Sequence, residues 1–433
     1  MKSKSNYKEK FKGVSMEQFK YHKNTISLNY LVQWLVVIML FFVGLLNSNR
    51  YIIFMGYHSV YRFILILCYG FLTIVTFYFL LNILSKKKNN VCFFFKYLTL
   101  LILALVLNFT ILFVQNPLFF LINNKQADLF IHMMINIVLI IVIASSITEV
   151  KFVFLSIWSL ALGLLSSAII PLFKYPELIG YRISLVDGFT FVGGFWNSAV
   201  IAFLAIGWLL IANIKYEKLK IKKIILIIIF VLISIAGLVG LSRALLLSIV
   251  LSIIMYLVLN KGLMNKIWVL VFSGFGIISF VSIFGEVFDK FRDRIDTGTS
   301  IFKEPRFSIW TEYLKKIPDY LIFGDLADYN RVTTVIGYAP HSVLLNWLYY
   351  FGILGLFGFL MLIIGVLKSI KHVEKLYTRS ISSTLYAWLV AYLTVSLFNE
   401  TGFDERAIFC SIGIIYAWGL NSYKQNRKFK STV

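Results

Sequence analysis

The chain has 433 residues, of which 59% are hydrophobic and only 14% charged. A water-soluble domain is close to half apolar and about a quarter charged, so this composition excludes an ordinary soluble enzyme and points to the membrane. The formal net charge of +22, from 42 Lys and Arg against 20 Asp and Glu, raises nucleic acid as a partner, and the placement of those charges has to answer it.

In chain order, about twelve apolar runs read as helices crossing a ~30 Å hydrocarbon core. They cover about 28–47, 60–84, 97–114, 129–147, 152–173, 197–214, 224–241, 244–259, 267–285, 343–367, 382–398 and 407–421. The first follows a basic tail and shows no small-residue cleavage site, which marks it as an uncleaved anchor. With the N-terminus in the cytoplasm, the basic segments "SKKKNNVCFFFK", "KYEKLKIKK", "NKGLMNK", "KSIKHVEKLYTR" and "YKQNRKFK" all fall inside, and most acids fall outside. That asymmetry is the positive-inside pattern of a multi-span protein in a cytoplasmic membrane, with both termini cytoplasmic. The outer surface then carries mixed charge and no nucleic-acid footprint, and the basic segments face anionic membrane lipids. The expected fold is an all-α, polytopic helical bundle forming a single integral membrane domain over 1–433.

Cys68, Cys92 and Cys410 fall in spans or inner loops and imply no disulfide or metal framework. Two outer loops stand out, about 174–196 and, much larger, 286–342; long loops on a helical scaffold are where function concentrates. There is no phosphate-binding P-loop, no dinucleotide fingerprint and no zinc-like His/Cys cluster. The acids of "DKFRDRID" alternate with Lys290, Arg292 and Arg294, which reads as a solvated, salt-bridged segment rather than a metal site. No acid lies within the spans, which weighs against a proton-coupled transporter.

Four residues could carry chemistry. The apolar run from Ile224 to Leu259 is roughly 54 Å long as one helix, too long for one crossing, so it turns back at "GLVGLSR". Arg243, the only charge in that run, then sits at the tip of an outer hairpin, either as an interface arginine that orients it or as an anion clamp. In "FKEPRFSIWTEYLKKI", Trp310, Tyr313, Leu314 and Ile317 recur at helical spacing, an amphipathic helix at the interface. Pro305 suits its first position, so Arg306 falls in the first turn, where free amides already favour an anion. Arg306 reads either as a partner of Glu304 or Glu312 or as part of that anion site. Arg182, in the other outer loop, pairs with Asp187 or joins the same function. His341 opens the span "SVLLNWLYYFGILGLFGFLML", either as an interface histidine with no role or as a base; the positive end of a helix disfavours imidazolium, and a neutral imidazole is what a general base needs. Three arginines near the outer membrane plane suit a lipid diphosphate, because guanidinium offers a planar fork of donors and keeps its charge.

Three motifs in order carry a resemblance: "GLSRALLLSIVL", "PRFSIW" followed by "IFGD", and "HSVLLNWLYYFGILGL". They are similar to motifs of the bacterial O-antigen polymerase and O-antigen ligase superfamily of integral membrane glycosyltransferases. The resemblance implies a GT-C-like, metal-independent transferase without cofactor, acting on polyprenyl-diphosphate-linked glycans at the outer face. By position, Arg243 and Arg306 would hold the diphosphate and His341 would activate the acceptor hydroxyl. Arg182 and Gly193 resemble an arginine–glycine spacing of some polymerases, although no second copy of that pattern is evident in the large loop. The expected activity is polymerisation of lipid-linked repeat units for O-antigen, capsule or a similar polysaccharide, with a chain-length regulator as a protein partner. A ligase moving finished glycan onto lipid A core, and a lipid-linked glycan flippase, are the alternatives.

Overall fold

The structure is a computed structural model. It describes residues 27–46, 58–84, 91–115, 125–174, 185–186, 189–239, 243–260, 267, 305–325, 340–398, 403 and 405–431. The described residues form a helical bundle. In chain order the helices are α1 (Leu28–Leu45), α2 (His58–Leu84), α3 (Val91–Gln115), α4 (Lys125–Ser146), α5 (Val150–Lys174), α6 (Phe191–Tyr216), α7 (Lys220–Val239), α8 (Arg243–Leu259), α9 (Pro305–Lys315), α10 (Ile317–Tyr320), α11 (Val343–Leu376), α12 (Arg379–Phe398) and α13 (Arg406–Ser431). Between α5 and α6, β1 (Leu185–Val186) and β2 (Phe189–Thr190) pair antiparallel as a minimal hairpin.

Eight of these helices are long and apolar enough to cross a membrane, so the chain is a multi-pass helical membrane protein. Every sequence-predicted span coincides with a described helix except 267–285, which lies outside the described residues apart from Ile267. The long run from Ile224 turns back between α7 and α8, as its length demands.

The C-terminal helix is the hub. From Ala407 to Ser422 its side chains are buried all round, Ile408, Cys410, Ile412, Tyr416 and Trp418 completely. It packs against α4, α11, α6, α5 and α1. A helix apolar on every side belongs inside a bundle. By contrast, α7 turns Ile224, Ile228 and Val231 outward and α2 turns out Phe63, Ile66 and Phe77, the surfaces that meet lipid.

Lipid tails are as apolar as leucine, so close packing and interhelical hydrogen bonds hold such helices together. The α1–α5 crossing shows the first. A Cβ built on Gly163 would meet the Phe41 carbonyl oxygen at 2.2 Å, and one built on Gly44 would meet Leu160 O at 2.7 Å. The core shows the second. Ala205 O of α6 accepts from Trp388 Nε1 of α12 at 3.1 Å and from Ser411 Oγ of α13 at 2.8 Å. Trp208 Nε1 donates to Ser252 Oγ of α8 at 3.1 Å.

The bundle has two unlike ends. At one, Lys215 Nζ donates to Tyr256 OH at 2.6 Å and to Ser380 O at 3.1 Å, and Arg379 Nε donates to Leu259 O at 2.8 Å. There Gln33 Oε1 accepts from the Thr148 and Glu149 amides, and Asn421 Nδ2 donates to Ile147 O. Lys96, Lys151, Lys220, Lys222, Lys368 and Lys375 lie in helices toward this same end, with Lys218 in the connection between α6 and α7.

Candidate functional site

The other end holds the candidates, and a chain of contacts locates them. α8 buries Ala244, Ser248, Ser252 and Tyr256, one residue per turn along its length, and packs against α12. The Arg379–Leu259 bond fixes the start of α12 to the end of α8. The two helices are therefore antiparallel, and Arg243, the first residue of α8, lies at the level of Phe398, the last of α12. Phe398 stacks on Trp310 of α9 with centroids 6.2 Å apart. Trp310 Nε1 donates to Pro340 O at 2.7 Å, immediately before His341. Arg306, second residue of α9, stands one turn before Trp310 on the same helical face. The backbone positions of Arg243, Arg306 and His341 thus gather at one end of the bundle. Arg182 lies outside the described residues, as do 286–304 and 326–339 of the large loop.

The α9 face differs in detail from the sequence-predicted one. Trp310, Tyr313 and Ile317 turn inward, with Tyr313 buried, but Leu314 is exposed together with Phe307. Tyr313 meets Tyr349 edge-on at 5.2 Å, and Tyr320 meets the same ring at 4.9 Å. The Tyr320 hydroxyl donates to Tyr313 O, and burial pushes its phenol above the ordinary range, with the Asp319 carboxylate adding to the shift. On the exposed side, Lys315 bonds Glu312 at 2.8 Å and holds that carboxyl below its ordinary value.

The span expected over 343–367 is two helices. Gly352 takes φ 67° and ψ −166° and breaks α11. In an unbroken helix the Ile353 amide would bond Tyr349 O. Instead it donates to Leu321 O at 2.7 Å, and Tyr349 O accepts from the Asp325 amide at 2.6 Å. The 321–325 segment therefore replaces the lost helical bond on both sides, a clear cause for the kink. Tyr349 OH reinforces the join by donating to Asp325 Oδ2 at 3.0 Å. Two glycines make it possible. A Cβ on Gly352 would meet Ile322 O at 2.3 Å, and one on Gly324, φ 76°, would meet Tyr350 O at 2.4 Å. Residues 353–376 alone reach roughly 36 Å, enough to cross the membrane. The piece 343–351 is a separate short helix, packed through Trp347, Tyr350 and Phe351 around Phe403.

His341 stands just before that short helix. It holds φ 50°, the only non-glycine residue with positive φ among those described. A left-handed non-glycine residue costs about 1–2 kcal/mol and persists where its surroundings impose it. Here the Trp310 bond to Pro340 O pins the preceding residue, and Ser342 begins α11 as its N-cap. The ring is half-buried, at the positive end of the helix. Sequence reasoning found His341 but missed its backbone, the Trp310 anchor, the break at Gly352 and Asn346, a buried amide one turn into the short helix. Only Asn346 left a sequence signal, an Asn inside an apolar run four residues after Ser342.

Neither a family model nor a curated protein matches the chain.

Proposed function

We propose that the chain is a polysaccharide polymerase, a membrane glycosyltransferase of GT-C-like architecture with about twelve spans. It joins oligosaccharide repeat units carried on polyprenyl diphosphate. The observation that carries this reading is the convergence of the Arg243, Arg306 and His341 positions at the bundle end opposite the lysine-rich one. By the positive-inside rule the lysine-rich end faces the cytoplasm, and the His341 end faces outward, where a lipid-linked glycan stands with its sugars in water.

A hydroxyl of one repeat unit attacks the anomeric carbon of the glycan held on the second carrier. The new C–O bond forms as the bond from that carbon to the diphosphate oxygen breaks. The electron pair leaves with the diphosphate, and the hydroxyl proton passes to the His341 imidazole. A positioned general base contributes about 10²–10⁴-fold. Arg243 and Arg306, with Arg182 from the other outer loop, would stabilise charge growing on the leaving group; guanidinium suits this because it keeps its charge and donates in a fork. The pinned, left-handed backbone of His341 supports the reading, because strain of that kind collects where a side chain must be held in one direction.

The test is chain growth in cells displaying the polysaccharide. Without the gene, a polymerase leaves single repeat units on the surface. A ligase instead leaves lipid-linked polymer undisplayed, and a flippase leaves repeat units on the inner leaflet. His341→Ala is expected to abolish the length ladder at normal membrane levels of the protein. A full-length ladder from that variant would remove His341 from the mechanism.

A further inference from the structure

The reaction proposed above consumes two lipid-linked molecules, and each carries a diphosphate. Arg243, Arg306 and Arg182 serve the donor, whose anomeric carbon adjoins its diphosphate and so must lie beside His341. The acceptor reacts through a sugar hydroxyl, with part of its repeat unit between that hydroxyl and its own diphosphate. Its diphosphate therefore belongs at the same membrane level but apart from the base.

Two further arginines stand at that level. Near the start of α1, Gln33 accepts from the Thr148 and Glu149 amides at the lysine-rich end, and the Tyr78 hydroxyl of α2 donates to Asn29 close by. α2 thus ends there, and its fifth residue, Arg62, lies at the His341 end. Asn421 of α13 bonds Ile147 O at the lysine-rich end, so Arg406, the first residue of α13, is at the His341 end too.

The two arginines share one face of α2. The Arg406 guanidinium lies over the Tyr69 ring, 5.7 Å from its centroid. Arg62 stands seven residues before Tyr69, two turns along the same stripe of the helix. Arg62 is exposed and Arg406 half-buried. Among the described residues no carboxylate pairs with either guanidinium, Glu405 included. Arg406 also opens its helix, where the dipole disfavours a cation. A half-buried arginine at membrane depth with no carboxylate beside it is costly, and such residues mark binding paths. Between Arg62 and Tyr69 the same stripe carries Ile66, 66% exposed, and the neighbouring stripe carries Phe63 and Phe77. Two cations beside an open apolar helix face fit an amphiphile with an anionic head and a hydrocarbon tail.

This pair is separate from the donor arginines yet connected to the base. α8, which begins with Arg243, packs against α12, whereas α2 packs against α1 and α4. The short helix 343–351, roughly 13 Å long, links the two sides. It follows His341 and the Trp310 anchor, and its Trp347, Tyr350 and Phe351 pack on Phe403, three residues before Arg406.

We propose that Arg62 and Arg406 seat the diphosphate of the acceptor lipid, with its polyprenyl chain lying along α2. The inference rests on the polymerase reading for the identity of that lipid. A guanidinium pair suits a diphosphate because each fork donates two bonds and keeps its charge.

The experiment titrates the purified chain in detergent with farnesyl diphosphate, read by calorimetry. Wild type should bind two equivalents. The double variant Arg62→Gln with Arg406→Gln should bind one, with affinity at the other seat lower by about tenfold or more, the loss expected for hydrogen bonds to a charged group. Its ligand-free thermal midpoint should stay level or rise, because a cation opposing the helix dipole has gone. Arg406→Lys keeps the charge and loses the fork, and should weaken the same seat to a lesser degree. Binding unchanged in the double variant would overturn the seat. Displacement from it by dioleoylphosphatidylglycerol at equal concentration would also overturn it, as a site for bulk membrane lipid. One equivalent in wild type that the double variant abolishes would keep the seat and discard the donor arginines. His341→Ala should still bind both equivalents, so a full-length ladder from that variant would discard the base and leave the seat standing.

Discussion

The two ends of the bundle handle the same problem in opposite ways. Every helix terminus buried in a membrane protein leaves orphan amides or carbonyls that water cannot reach. At the Lys215 end, side chains from neighbouring helices close them: Gln33 for the Thr148 and Glu149 amides, Asn421 for Ile147 O, Arg379 for Leu259 O, Lys215 for Ser380 O. At the His341 end, Ser342 leaves its helix uncapped, Asn346 stays unpaired and His341 sits in a strained conformation. At the first end these bonds tie helix termini to their neighbours and serve stability. The other keeps its strain and its open groups, which is where a working site is found.

The sharpest break of that contrast is at Gly352. Gly352→Ala would drive a Cβ against Ile322 O at 2.3 Å and force alanine to φ 67°. The clash and the strain together cost about 3 kcal/mol or more. The expected outcome is a large fall in the thermal midpoint of detergent-solubilised protein and loss of chain growth. Gly324→Ala, on the other side of the same contact, should do the same. If either is tolerated, the 321–325 segment does not hold the kink.

The next effect separates the ends by sign. Asn421→Leu removes the donor to Ile147 O and leaves a buried carbonyl unpaired, a cost of about 1–2 kcal/mol. Asn346→Leu, the same replacement at a site as deeply buried, loses no bond and should be neutral or stabilising. Thermal midpoints of the two variants, measured side by side, test it. Equal destabilisation would mean that Asn346 is as well satisfied as Asn421.

Much of this was legible in the sequence, for reasons that differ by residue. The spans follow from apolar runs matched to the bilayer, and the α7–α8 hairpin follows from a run too long for one crossing. Pro305 at the start of α9 and His341 just before the start of α11 follow from local rules for helix starts. The break at Gly352 was not legible. It is one of several glycines in "FGILGLFGFLMLIIG", and what selects it is a partner segment some thirty residues earlier. Nor was the central place of α13. Its run of Ala407, Cys410, Ser411, Gly413 and Ala417 reads as one more span, and only the packing of five helices around it makes it the core.

His341→Gly and His341→Ala divide the strain from the chemistry. Glycine accepts φ 50° without penalty, whereas alanine keeps the left-handed cost. The glycine variant should be the more stable of the two by about 1 kcal/mol, read as a higher thermal midpoint, while both lose the imidazole and with it the length ladder. Equal midpoints would mean that the backbone at this corner relaxes once the ring is gone, and that the Trp310 bond to Pro340 does not hold it.

The smallest effect belongs to the surface of α9. The Glu312–Lys315 pair is close, at 2.8 Å, but its side chains are 50% and 65% exposed. Lys315 holds the Glu312 carboxyl below its ordinary value. The pair's contribution is therefore present at neutral pH and is lost as pH falls through the folded value, below the unfolded one. Water and salt screen a pair so open, and exposed pairs of this kind are often worth nothing measurable. Glu312→Gln should leave the thermal midpoint unchanged at pH 7 in physiological salt and should match wild type again at pH 3. A clear loss at pH 7 that vanished at pH 3 would show α9 docked through this pair, shifting the weight of its attachment away from Trp310 and Tyr313.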